Sequence, residues 1–303
     1  MVQFYFKNLI PTSYAGNCIR EFEDSFRQYI HLTRLRPEYI EHSIITDRMP
    51  SDIHIQKETL RELIFKISDK NLLKLAISAF SKYPINDYLS PDIWEEDPFE
   101  WEYEFAGQIV EDLYFASRMR WILLSIPVVD SLKTNEITIT HKDKQGLSIQ
   151  ILNSYGQNID YVLSTIDIIN EYIKSAIEEL KEDVFKGYNC IITKEFEQNY
   201  TSQQEPARRL INKNLQSYRE NGWLFPQVKA DDVHIKYCQG KEVEGLYEGR
   251  SRTWNGLRVY FEVDGNTIYL GDVQTKAHVG IEQTNDMIRA KTYIGNIKPR
   301  LNK

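Results

Sequence analysis

Residues 246–276 read LYEGRSRTWNGLRVYFEVDGNTIYLGDVQTK, and two runs within them decide the fold of the last third of the chain. Gly256 to Val263 (GLRVYFEV) and Thr267 to Val273 (TIYLGDV) are rich in β-branched and aromatic residues, with Asp264-Gly265-Asn266 between them. An Asp-Gly turn between such runs predicts a hairpin, because glycine takes the positive φ the turn demands. Gly245 to Thr253 reads as the preceding strand. Side chains alternate across a strand, so Arg250 and Arg252 share a face, as do Arg258 and Tyr260, and as do Asp272, Gln274 and Lys276. The pattern predicts one sheet face carrying Arg250, Arg252, Arg258, Tyr260 and Lys276, with Leu257, Val259 and Phe261 packed against a helix on the other. Several cations and an aromatic ring on one face suit a phosphodiester backbone.

Working outward, Tyr188 to Phe196 reads as a strand and Glu205 to Asn221 as a helix stopped by Gly222. Val233 to Tyr237 is a short strand, and a last helix runs from about Glu282 to Ile294. Asn158 to Val184 is a long amphipathic helix, and Gly187 after it is a natural C-cap and domain boundary. The earlier part predicts helices over Asn17–Arg36, Gln56–Lys82 (with a break near Asn71) and Glu104–Ser125. One hairpin is expected from Glu136–Thr140 and Leu147–Leu152. Pro91 to Glu104, acidic and aromatic, reads as an ordered loop. The expected fold class is α+β: a mostly helical N-terminal domain with one β-hairpin (1–186), then a small antiparallel-sheet domain (187–303).

A chain of 303 residues suits two domains, and 42% apolar with 27% charged residues is an ordinary globular balance. The longest strongly apolar run, Trp121 to Pro127, is far short of a membrane span. Met1 to Pro11 is too short in apolar residues for a secretory signal. Cys18, Cys190 and Cys238 are widely spaced without a CxxC pair, so neither a zinc knuckle nor a disulfide framework is expected, and a reducing cytoplasm is the default. The net charge of −7 is unevenly divided: residues 187–303 hold 17 Lys and Arg against 14 Asp and Glu, leaving 20 against 30 in the first 186. An acidic half joined to a mildly basic one suggests two jobs.

The pattern GLRVYF…DGNTIYL, followed by a basic cluster and a closing helix, resembles the RelE/ParE/HigB toxin superfamily, and the likeness extends over residues 187–303. The resemblance implies a RelE-like C-terminal domain. In ribonuclease members mRNA is cut on the ribosome by the ribose 2′-hydroxyl, with no metal and no cofactor. It implies that Arg258 and Lys276 bind and stabilise the scissile phosphate. His278 would be the acid or base, since a histidine titrates near neutrality. Arg250, Arg252 and Tyr260 would hold the RNA. The expected function is thus a cytoplasmic toxin or phage-defence effector that cleaves RNA and arrests translation. Its partner is RNA, ribosome-bound mRNA included, with an antitoxin or the acidic first domain as inhibitor and no membrane. One departure is that 280–290 lacks the tyrosine some members carry in the last helix; Tyr293 comes later.

Two other readings use the same residues. Asp264 with Gln274-x-Lys276 is a degenerate PD-(D/E)xK-like spacing, which would make the chain a Mg²⁺-dependent nuclease. A ParE-like or ribosome-binding inhibitor would grip its target without cutting it. His31, His42, His54 and His141 show no metal-ligand spacing, and no metal site is expected.

Overall fold

The computed structural model describes residues 2–83, 85, 102–203, 205–251, 256–274 and 280–298. These divide into two units, up to Glu171 and from Tyr172 onward.

The first unit is built on a seven-stranded sheet. Its strands are β1 (Val2–Phe6), β2 (Ile40–Thr46), β5 (Tyr103–Phe105), β6 (Gln108–Ile109), β7 (Ile122–Leu124), β8 (Glu136–His141) and β9 (Ser148–Ser154), in the order β2-β1-β7-β9-β8-β5-β6. A small hairpin of β3 (His54–Ile55) and β4 (Glu58–Thr59) stands apart. The helices are α1 (Ile19–Leu35), α2 (Leu60–Phe65), α3 (Lys70–Ala79) and α4 (Glu111–Arg118), and α5 (Ile159–Glu179) leads out of the unit. The β2-β1-β7-β9 portion is parallel, and the remaining pairs are antiparallel.

This corrects the mostly helical expectation. The reason is burial: every residue of β1 (VQFYF) and of β7 (ILL) is buried. Parallel central strands covered on both faces lose the alternation that marks a strand and look like any short apolar run. Thus 104–125, expected as one helix, is two short strands, an eight-residue helix and β7. The β8–β9 hairpin, half-exposed and alternating, forms where expected. Phe4 meets Tyr29 edge-on, and Phe6 meets Phe80, which also packs beside Phe22 and Phe26 of α1. Each such ring stabilises the fold by about 1.5–3 kcal/mol through burial. The stretch Pro91–Glu104, expected as an ordered loop, lies mostly outside the described residues, and its end enters β5.

The second unit carries β10 (Asn189–Ile192), α6 (Lys194–Ser202), α7 (Glu205–Glu220), β11 (Ile235–Tyr237), β12 (Tyr247–Arg250), β13 (Arg258–Asp264), β14 (Thr267–Gln274) and α8 (Ile281–Ile297). The strand order is β10-β14-β13-β12-β11. The expected small antiparallel sheet is corrected here too, since β10 runs parallel to β14 and makes the sheet mixed. Strands this far apart in sequence share no turn from which their pairing could be read. Ile211, Leu215 and Tyr218 of α7 pack on Val259, Phe261, Leu270 and Val273. Ala290 and Ile294 of α8 join Leu246, Tyr260 and Tyr269 in a second cluster. Gly271 is the extra residue of a bulge, between the Tyr260–Asp272 and Phe261–Leu270 pairs. A Cβ there would lie 2.8 Å from Ile294 Cδ1 and 3.0 Å from the Ala290 carbonyl oxygen, so glycine is what lets α8 approach the sheet. Among the described residues no helix is long and apolar enough to cross a membrane.

Candidate functional site

The hairpin register aligns charged residues across three strands at the end of the sheet away from the Asp-Gly turn. Arg250 of β12 pairs with Arg258 of β13, which pairs with Gln274 of β14. Two residues along, Glu248 pairs with Tyr260, and Tyr260 with Asp272. Beyond β12, the Arg250 N–H donates to the carbonyl of His234 at 2.7 Å, adding a fourth member to the first row.

Both arginines converge on one carboxylate. Arg250 Nε is 3.0 Å from Glu248 Oε1 and its Nη2 3.3 Å from Oε2. Arg258 Nε is 2.7 Å from the same Oε1. From α8, Gln283 Nε2 donates to Oε2 at 3.0 Å. The Glu248 side chain is 1% exposed, against 25% for Arg250 and 13% for Arg258. A buried carboxylate is tolerable only when paired and hydrogen-bonded, and Glu248 is both. Burial pulls the Arg250 guanidinium toward losing its proton, but the bond to Glu248 and its charge outweigh that and push its pKa up.

The neighbouring row is likewise satisfied. Asp272 accepts from Asn199 Nδ2 at 2.6 Å, Gln274 Nε2 at 2.8 Å and the Val273 N–H at 2.8 Å. Asp286 of α8, also buried, pairs with Arg289. Glu262, 4% exposed, is held by Lys291 and Lys298.

Of the residues expected from sequence, Arg250 and Arg258 do come together, but around an internal anion. Tyr260 shares their face yet lies in the α8 cluster at 1% exposure. Burial above all, then the Glu248 charge, pushes its hydroxyl pKa far above the phenol range. It therefore neither stacks on a base nor donates a proton readily. Arg252, Lys276 and His278 lie outside the described residues. Sequence reasoning missed Glu248, although it stands two residues before Arg250 and shares its face by the same alternation.

The register also separates the residues of the metal-nuclease spacing. Asp264 pairs with Thr267 at the turn, whereas Gln274 pairs with Arg258 at the other end of β13. Six residues of strand put about 20 Å between them. Among the described residues no group of three or more His, Cys, Asp or Glu is placed to hold a metal ion.

The first unit has a charged cluster of its own at the carboxyl ends of β1 and β2. Lys7 Nζ lies 2.9 Å from Asp47 and 3.0 Å from Asp112, and the Tyr5 hydroxyl donates to Asp112. A cavity of about 710 Å³, lined by Asn8, Tyr14, Cys18, His54 and Glu58 among others, opens beside the β1–α1 connection.

No family model matches the chain, and neither the curated proteins nor the solved structures hold a match to it.

Proposed function

We propose that the second unit grips RNA and cleaves it without a metal, and that the chain is a toxin or phage-defence effector that arrests translation. The observation that carries this reading is the convergence of Arg250 and Arg258 on the Glu248 carboxylate. Arg250 forks onto Glu248 through two hydrogen bonds and Arg258 adds an ion-pair contact through Nε, and guanidiniums gathered on one carboxylate suit a phosphodiester as well. Within the row two guanidiniums face one carboxylate, while Asp272 in the neighbouring row takes its bonds from Asn199, Gln274 and the Val273 N–H. A phosphate that takes over the arginines leaves Glu248 a buried anion without its cations, which favours its taking the 2′-hydroxyl proton. The oxygen then attacks phosphorus, and the guanidiniums stabilise the charge that develops on the non-bridging oxygens. The likeness of GLRVYF…DGNTIYL to the RelE/ParE/HigB toxins supports the same substrate.

The test is end mapping. Purified full-length protein is incubated with RNA, alone and on translating ribosomes, with and without EDTA. The expected products carry 2′,3′-cyclic phosphate and 5′-hydroxyl ends, and EDTA has no effect. RNA that stays intact under every condition overturns the reading. A non-catalytic inhibitor is the second reading, favoured by the burial of Tyr260 and by the full set of bonds on Glu248. It is supported instead if the protein binds RNA or ribosomes and no new ends appear.

A further inference from the structure

The described strands of the second unit carry three cations: Lys236 of β11, Arg250 of β12 and Arg258 of β13. All three fall on one face of the sheet. Lys236 pairs directly with Glu248, two residues before Arg250, and Arg250 pairs with Arg258. Residues opposite one another in an antiparallel pair share a face, with Cβ atoms about 4.5–5.5 Å apart. The neighbours of Lys236 fix the same orientation. Ile235 packs with Val259 and Phe261 in the α7 core, whereas Cys238, which shares the Lys236 face, lies with Tyr260 in the α8 cluster.

Lys236 differs from the two arginines in what it holds. Arg250 and Arg258 are both engaged by Glu248. Lys236, partly buried, forms no ion pair and no side-chain hydrogen bond with another described residue. The carboxylate directly opposite it is already taken by the two arginines and by Gln283. The charges nonetheless meet at one atom. Burial above all raises the Cys238 thiol pKa, the Glu248 charge adds to that, and the Lys236 and Arg250 charges oppose it. One sulfur thus feels the ammonium together with the carboxylate and a guanidinium, which sets Lys236 beside the Arg250–Glu248 pair. β11 is also the outer strand of the sheet, so Lys236 stands at its border. An anion that reaches Arg250 and Arg258 must displace Glu248 from them, whereas at Lys236 it has no described carboxylate to displace.

We propose that Lys236 is a phosphate-binding residue of this face, holding the RNA phosphate next to the one gripped by Arg250 and Arg258. The backbone then crosses the strands from β11 toward β13. This rests on the RNA reading above and deepens it, whether the bound strand is cut or only held. RNA carries a charge at every nucleotide, so a strand seated at one phosphate brings a second within reach. A lysine meets phosphate as a point charge with freely rotating donors, without the planar fork of arginine. It therefore adds affinity and not base choice.

The test is the salt dependence of binding by the full-length protein to single-stranded RNAs of several unrelated sequences. Lys236→Gln should weaken binding about five- to ten-fold at low salt, by the same factor on every sequence. The slope of log affinity against log salt should become shallower by about 0.7, the share of one phosphate contact on a single strand. KM for cleavage should rise by the factor seen in binding. Lys236→Arg, which keeps the charge, should restore both affinity and slope. An unchanged slope in Lys236→Gln overturns the proposal. So does a slope lost equally in Lys236→Arg, since that would be a loss of structure and not of charge. An unsubstituted protein that binds no RNA defeats the RNA reading itself, whereas RNA binding with an unchanged slope in Lys236→Gln defeats this contact alone.

Discussion

Arg258 and Glu248 form the closest ion pair of the sheet row, 2.7 Å from Nε to Oε1, and Arg250 clasps the same carboxylate from its own strand. The guanidinium pair thus has a structural partner of its own before any ligand arrives.

Arg258→Ala removes one of two cations from a carboxylate that is 1% exposed. Loss of a charged partner from a buried group costs about 2 kcal/mol, softened here by Arg250 and Gln283. Urea unfolding should show that loss. The double variant Glu248→Gln/Arg258→Ala should be at least about 1 kcal/mol better than the sum of its parts. Strict additivity would mean the pair is not coupled. Lost activity in Arg258→Ala therefore mixes chemistry with folding, and Arg258→Lys, which keeps the charge, is the cleaner probe.

Glu248→Gln removes the internal anion and keeps the shape. RNA binding should tighten several-fold at low salt and become more salt-dependent, because both guanidiniums are released to phosphate. Cleavage should fall about 100-fold, since the proton acceptor is gone. Filter binding and cleavage rates measured in parallel check both. Weaker binding together with weaker cleavage would contradict the exchange of phosphate for Glu248.

Gly271→Ala should destabilise the second unit by about 1–3 kcal/mol, because the added methyl meets Ile294 and the Ala290 backbone and forces α8 off the sheet. Gly295→Ala, in the same helix with open space around it, should be neutral or stabilise by up to about 1 kcal/mol. Denaturation midpoints of the two variants test the placement of α8, and equal effects would speak against it.

All three cysteines are buried, and burial pushes the Cys190 and Cys238 thiols up to about 12. A thiol so raised is scarcely nucleophilic at neutral pH. The native protein should react slowly with a thiol reagent at pH 8, and all three groups should react at once in denaturant. Fast labelling of Cys190 or Cys238 in the native state would place them elsewhere.

Some of this was readable in the sequence and some was not, for identifiable reasons. The Asp264-Gly265 hairpin carries its own turn chemistry, and the β8–β9 hairpin has one exposed face, so period-two alternation survives in it. The α1 helix, expected over Asn17–Arg36, spans Ile19–Leu35 because its apolar spacing is strong. By contrast β1 and β7 are buried throughout and leave no periodic trace. The meeting of Arg250 with Arg258 follows from the hairpin register. The clasp on Glu248 follows from the same alternation, since Glu248 and Arg250 stand two residues apart on β12. The burial of Tyr260 does not, since strand pattern cannot say that α8 will cover the face, and α8 places only Asp286, Ala290 and Ile294 in buried positions.

The most direct measurement on the Arg250–Glu248–Arg258 site is the chemistry of RNA ends after incubation with full-length protein and translating ribosomes in EDTA. New 2′,3′-cyclic phosphate and 5′-hydroxyl ends should appear, and should fall at least about 100-fold in Arg258→Lys and Glu248→Gln. Ends that form at an undiminished rate in both variants, or no ends at all from the unsubstituted protein, would contradict the assignment.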